Sequence, residues 1–188
     1  MIKRHIATEL MLLLAEYPVI TILGPRQAGK TTLAKEELKN HSYANLENPE
    51  TRQFATDDPK GFLARLEGDV ILDEIQRVPE LLSYIQTIVD ARQQNGQFVL
   101  TGSHQLALRE AITQSLAGRT AILNLYPLSI DELAQAGISF SMAENYIYHG
   151  FLPRIYDQKQ RPTQAYSNYY QTYIERDVRQ LINLKDFS

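Results

Sequence analysis

The chain has 188 residues, 44% hydrophobic and 22% charged, with no cysteine and 19 basic against 22 acidic side chains. Such a composition is that of a globular protein of one domain with room for an appendage. Without cysteine it has no disulfide scaffold, thiolate zinc site, iron–sulfur cluster or cysteine nucleophile, and it suits a reducing cytoplasm. A formal charge of −3 argues against nucleic-acid binding by bulk charge. No apolar run reaches the ~18 residues that would cross a bilayer, so no membrane partner is expected. The basic start, Met1 to His5, is followed by polar Thr8 and Glu9 and by no small-residue cleavage site, and reads as a helix rather than a signal peptide.

In chain order, Val19-Ile20-Thr21-Ile22-Leu23 reads as a fully buried strand. Residues 31–40 read as a helix, 43–46 as a weak strand, and 49–66 as helical with breaks near Pro59 and Gly61. Val70-Ile71-Leu72 is a strand, 79–94 a helix, 97–101 a strand, 106–116 a helix and 121–125 a strand. Strands alternating with helices predict βαβ units, hence a three-layer α/β core with a parallel five-stranded sheet over about 130 residues. The pattern changes after Pro127, so the boundary is placed between a core of 1–127 and a small C-terminal helical region of 128–188. There Ser129 and Glu132 have the spacing of a capping box. Tyr166, Tyr169, Tyr170 and Tyr173 run into Val178, Leu181 and Ile182 at helical spacing. Packing against a neighbouring element is the plainer account of that stripe; a base-stacking platform is the sharper one. Residues 61–150 carry five basic and ten acidic side chains, residues 151–188 six and four, so the tail is the better face for a polyanion.

Gly24-Pro25-Arg26-Gln27-Ala28-Gly29-Lys30-Thr31 matches G-x-x-x-x-G-K-[ST], directly after a strand and directly before a helix. The glycines let the loop wrap a phosphate, and backbone N–H groups and the positive end of the next helix converge on it. Lys30, expected to project into a solvent-filled loop, would reach the β- and γ-phosphates, and the Thr31 hydroxyl would ligate Mg²⁺. Strand 70–72 runs into Asp73 and Glu74. At the carboxyl edge of a parallel sheet, Asp73 is placed for the Mg²⁺ shell and Glu74 to take a proton from an attacking water. Strand 97–101 should lie beside the loop strand, so that Thr101 or Ser103 meets the γ-phosphate or the water. Arg119, between a helix and the last strand, reads either as an arginine finger for its own or a neighbouring subunit, or as a helix-terminal charge. Arg26 is a further phosphate candidate.

These segments resemble a group of bacterial and archaeal ATPases of the AAA+ superfamily. The resemblance is carried by Gly24 to Thr32, Asn45-Leu46-Glu47-Asn48-Pro49, Leu72-Asp73-Glu74-Ile75-Gln76, Leu100-Thr101-Gly102-Ser103, Ser115 to Arg119 and Tyr126-Pro127-Leu128-Ser129. It extends from Arg4 to about Leu184. It implies a P-loop NTPase fold, ATP and Mg²⁺ as cofactors, and nucleotide contacts along Gly24, Pro25, Arg26, Gln27, Ala28, Gly29, Lys30, Thr31 and Thr32. It further implies Thr31 and Asp73 at the metal, Glu74 as catalytic base, Ser103 as sensor and Arg119 as finger. His104 and His149-Gly150-Phe151-Leu152-Pro153 depart from the group's usual pattern. The group's second domain, of unknown function, would begin near Tyr173 to Val178, leaving this chain as the ATPase part.

The favoured expectation is a Mg²⁺-dependent ATP-binding protein that hydrolyses ATP to ADP and phosphate and so drives a conformational change. The alternatives are a non-hydrolysing, nucleotide-dependent module for DNA or a protein, and a P-loop small-molecule kinase. The kinase would need an Arg-rich lid, and arginines are only scattered between Arg109 and Arg161. ATP is the expected partner, with a homo-oligomer and an unidentified protein or nucleic-acid client left open.

Overall fold

A computed structural model describes residues 2–103 and 106–174. It divides into two compact units, Arg4–Tyr126, and Met1–Lys3 with Pro127–Ser188. The first holds five parallel strands: β1 (Val19–Gly24), β2 (Ser42–Asn45), β3 (Val70–Asp73), β4 (Phe98–Ser103) and β5 (Thr120–Asn124). Their order is β2-β3-β4-β1-β5. The chain moves out from β1 to the β2 edge, returns through β3 and β4, and crosses to β5 on the other side of β1. The reversal puts a ligand crevice at the carboxyl ends of β1 and β4.

Side-chain alternation builds the two faces. Val19 and Leu23 of β1, Val70 and Leu72 of β3, and Phe98 and Leu100 of β4 enter one core. That core also takes residues of α3 (Pro49–Asp57), α4 (Pro59–Ala64), α5 (Leu81–Arg92) and α6 (Leu106–Leu116). Ile20, Ile22, Ile71 and Val99 face the other way, onto α1 (Ile6–Glu16) and α2 (Lys30–Glu37). With both faces covered, β1, β3 and β4 are buried at every position rather than alternating, which is why they stand out in the sequence, whereas the edge strands β2 and β5 are only partly buried.

The long helical stretch 49–66 is two helices. Asp58 leaves the helical region at φ −138° and caps α4 by accepting the Gly61 N–H at 2.9 Å. A β-carbon on Gly61 would stand 2.0 Å from the Asp58 carboxylate, so glycine is what admits that cap. A 3₁₀ turn, Ile75–Arg77, separates β3 from α5, which starts at Leu81 rather than near residue 79.

In the second unit, α7 (Ile130–Gln135), α8 (Ala143–His149), α9 (Pro153–Asp157) and α10 (Pro162–Tyr169) follow, and α10 continues as a π-helical turn, Tyr170–Ile174. The capping box forms: the Glu132 N–H donates to the Ser129 hydroxyl and the Ser129 N–H to the Glu132 carboxylate. Tyr166 is a packing residue, its hydroxyl accepting the Phe151 N–H at 3.0 Å over Gly150, where a β-carbon would collide with it. The Tyr169 and Tyr173 rings meet at 5.4 Å, while Tyr170 is exposed. Val178, Leu181 and Ile182 lie outside the described residues. No helix among those described is long and apolar enough to cross a membrane.

Candidate nucleotide-binding site

The loop leaves β1 through Gly24, where a β-carbon would sit 2.1 Å from the Leu125 carbonyl oxygen. Leu125 is tied in turn to β1, its N–H donating to the Leu23 carbonyl at 2.7 Å. The first glycine of the motif therefore lets β1 and the chain leaving β5 approach, a packing requirement that phosphate binding alone does not supply. Gln27 and Gly29 both have positive φ, 61° and 95°, and Gly29 is the residue from which α2 starts. Only a residue without a β-carbon takes φ 95° freely, and it turns the chain so that α2 begins at Lys30 with its amino end toward the loop.

Lys30 does not project into solvent as expected. It is 5% exposed and its Nζ donates to the Gly24 and Pro25 carbonyls, each at 3.0 Å. Burial pushes its pKa down, with Glu74 and Asp73 acting in the opposite sense. The ammonium is thus held across the mouth of its own loop by backbone acceptors that a phosphate oxygen can replace.

Asp73 is the hub. It is 4% exposed at the end of β3 and accepts three hydroxyls: Thr31 at 2.8 and 3.0 Å, Tyr43 at 3.0 Å, and Thr101 in a short bond. Thr31 and Asp73, 42 residues apart, are thus brought together. Glu74 follows in the left-handed conformation, φ 61° and ψ 47°; its N–H donates to the Thr101 hydroxyl at 3.2 Å and its carboxylate accepts the Gln76 amide. Burial, and then the Asp73 carboxylate, push the Tyr43 hydroxyl pKa well up.

β4 lies beside the loop strand, with Gly24 opposite Ser103 and Ile22 opposite Thr101. Ser103 reaches the loop edge with a buried hydroxyl that has no hydrogen-bond partner among the described residues. Thr101 faces Asp73 and Glu74 instead, so the hydroxyl expected at phosphate or water donates to the Asp73 carboxylate and accepts the Glu74 backbone N–H. His104 lies outside the described residues. Pro25, Arg26 and Gln27 line the loop half-buried, Ala28 is buried beneath it, and Thr32 is exposed on α2.

Arg119 is not brought to this loop. Its carbonyl accepts the Val19 N–H at the start of β1, and Thr120 pairs with Val19, so it lies at the amino edge of the sheet. The length of β1, about 17 Å at roughly 3.3 Å per residue, separates it from the loop. There it makes a two-pronged ion pair with Asp90, Nε to Oδ1 at 2.6 Å and a second nitrogen to Oδ2 at 2.9 Å. The pair holds the Asp90 carboxyl low and raises the guanidinium pKa. Contact between Arg119 and its own chain's nucleotide is ruled out by this placement.

Sequence reasoning missed two residues. Arg4 donates to the Ala28 carbonyl at 2.8 Å and to the Tyr126 carbonyl at 2.6 Å, bracing the loop from positions 24 and 122 residues away, for which no local pattern exists. Tyr43 reaches Asp73 because Asn45 is opposite Asp73 in the β2–β3 register, a diagonal neighbour that strand order would have disclosed.

The donor set fits Mg²⁺. Thr31 and Asp73 offer hard oxygen ligands on one side only, and among the described residues no group of three or more His, Cys, Asp or Glu forms a cage. Mg²⁺ is bound in this way, by one or two side chains with substrate phosphates and water completing the octahedron, whereas zinc or calcium wants a protein cage.

The family described as an AAA domain matches residues 16–134. A family described as a domain of unknown function (DUF8612) matches residues 140–188. Uncharacterized proteins of Mycobacterium tuberculosis and Mycobacterium bovis are each 32% identical over 184 residues, 95% of this chain and 40% of their own length. The chain thus spans about 40% of the curated relatives it matches. A Walker-type ATPase of Pyrococcus abyssi has the same fold, with TM-score 0.61 at 17% identity over 97% of this chain and 76% of that one. The chain belongs to the AAA domain family and has the P-loop ATPase fold.

Proposed function

We propose that this chain binds Mg·ATP at the loop Gly24–Thr31 and hydrolyses it to ADP and phosphate, driving a conformational change. The observation that carries the reading is the meeting of the Thr31 hydroxyl with the buried Asp73 carboxylate, with Glu74 next in the chain. The loop N–H groups and the amino end of α2 receive the phosphates. Lys30 exchanges the Gly24 and Pro25 carbonyls for β- and γ-phosphate oxygens. Thr31 and Asp73 hold Mg²⁺, which when bound neutralises charge on the phosphates. Thr101 and Tyr43 keep Asp73 in place, and Ser103 offers its unpartnered hydroxyl to the γ-phosphate. Glu74 accepts the proton of the attacking water. The water oxygen bonds to the γ-phosphorus, the bond to the β,γ-bridging oxygen breaks, and ADP leaves with that electron pair.

Water rather than a substrate hydroxyl is the acceptor because Glu74 is fixed at the end of β3 next to the metal residue. An arginine contribution from Arg119 would act on the nucleotide of a second copy, which makes a homo-oligomer part of the proposal. The ATPase core is assigned to 1–127 and the helical region to 128–188, and the cysteine-free composition suits the cytoplasm. The test is Glu74→Gln, which is expected to bind Mg·ATP as tightly as wild type and to lose about 10²-fold or more in phosphate release. Wild-type turnover in Glu74→Gln would overturn the assignment of the base.

A further inference from the structure

We propose that Gln76 is the residue that positions the Glu74 carboxylate for water, a role that rests on Glu74 being the base. Glu74 is held at two points. Its N–H donates to Thr101, which fixes the backbone in the left-handed conformation as the chain turns out of β3. Its side chain is fixed by a different group, the Gln76 amide, whose Nε2 donates to Glu74 Oε2. Among the described residues the other carboxylate oxygen accepts no hydrogen bond, and it is the one left for a water. A neutral amide suits this role, because it donates to the carboxylate, restricts its rotation and adds no charge beside the phosphates.

The seat of Gln76 is specific. Its amide oxygen is buried with no hydrogen-bond partner. It lies against the backbone of β4 at Gly102, where a β-carbon would stand 3.0 Å from that oxygen and 2.5 Å from a methyl of Leu108. A buried acceptor left unpaired costs stability, and a turn that needed only to be closed would not retain it. The amide is thus oriented with its donor on Glu74 and its unsatisfied oxygen toward Gly102. This gives Gly102 a role that phosphate binding does not assign it, that of leaving room for the group that aims the base.

The test compares Gln76→Ala and the isosteric Gln76→Glu, which loses the donor, with Glu74→Gln. Both Gln76 variants should lose about 10- to 100-fold in kcat, the cost of a misplaced catalytic group, with the Kd for Mg·ATP unchanged. In a Glu74→Gln background, Gln76→Ala should reduce turnover no further, because residues that act as a unit are not additive. Independently of turnover, the Gln76 side-chain amide signals in a ¹⁵N–¹H spectrum of the nucleotide-free protein should shift on Glu74→Ala. Wild-type or raised kcat in Gln76→Ala, with Glu74→Gln inactive, overturns the role of Gln76 alone. A raised Kd at wild-type kcat also overturns it, since it assigns Gln76 to binding. Wild-type turnover in Glu74→Gln marks instead the failure of the base assignment, and the role of Gln76 falls with it.

Discussion

Removing the Asp73 carboxylate should destabilise the protein even without nucleotide. Three hydroxyls are aimed at that carboxylate, and they differ in what they can do once it is gone. Thr101 is 0% exposed; its oxygen still accepts the Glu74 N–H, but its proton has no other acceptor. An unsatisfied buried donor costs about 1–3 kcal/mol. Thr31 and Tyr43 are half-buried and can turn to water, so each forfeits only the net value of one hydrogen bond, about 0.5–1.5 kcal/mol. Against these stands the relief of taking a carboxylate out of a dry site, which offsets part of the loss. The balance for Asp73→Ala is a loss of about 2 kcal/mol, or roughly 4–8 °C in Tm for a chain of this size. Asp73→Asn keeps an acceptor oxygen and should lose less. Thermal melts in EDTA give the Tm values, and a double-mutant cycle with Thr101→Val should show coupling of at least ~0.5 kcal/mol, because the two residues share one bond. An Asp73→Ala protein as stable as wild type, or strict additivity with Thr101→Val, would refute the claim that the hydroxyls depend on this carboxylate.

Two further perturbations probe the surroundings of the loop. Gly24→Ala puts a methyl 2.1 Å from the Leu125 carbonyl oxygen, a backbone atom with no rotamer to give. Overpacking of this kind costs about 1–3 kcal/mol, so Tm should fall by about 2–12 °C, and an unchanged Tm would contradict the close approach. Tyr43→Phe tests the alkaline limb. The folded-state pKa of Tyr43 lies above its unfolded value near 10, so its contribution is full below pH 10 and is lost as the unfolded chain ionises first at higher pH. Urea melts at about pH 8 and about pH 11, either side of the unfolded tyrosine pKa, should show wild type ahead of Tyr43→Phe at the lower pH and the gap closing at the higher; a gap of constant size would contradict the sign.

What the sequence disclosed follows from locality. β1 and its loop were legible because a fully buried strand, two glycines and Lys30-Thr31 lie within thirteen consecutive residues. Asp73 was legible because a residue ending a parallel strand must reach the carboxyl edge. The same rule, applied to the residue that precedes a strand, puts Arg119 at the amino edge, and treating it as a contact for its own chain's nucleotide overlooked that. Other features depend on strand order or on distant backbone. Tyr43 needed β2 to be next to β3, and Arg4 needed the Ala28 and Tyr126 carbonyls to meet. The burial of Lys30 depends on loop carbonyls whose direction no side-chain pattern encodes. The break expected near Pro59 within 49–66 falls at Asp58, and it was legible because Pro59 and a side-chain cap are local signals that outweigh continuous amphipathicity.

The central claim is that the loop Gly24–Thr31 is a site for Mg·ATP that depends on Lys30. The most direct measurement is thermal unfolding with and without saturating Mg·ATP, on wild type and on Lys30→Ala, each against its own nucleotide-free baseline. Ligand at ~100 times its Kd stabilises the native state by about 2.7 kcal/mol, so wild type should gain roughly 5–11 °C and Lys30→Ala should gain none. An equal gain in both proteins, or none in wild type, would contradict it.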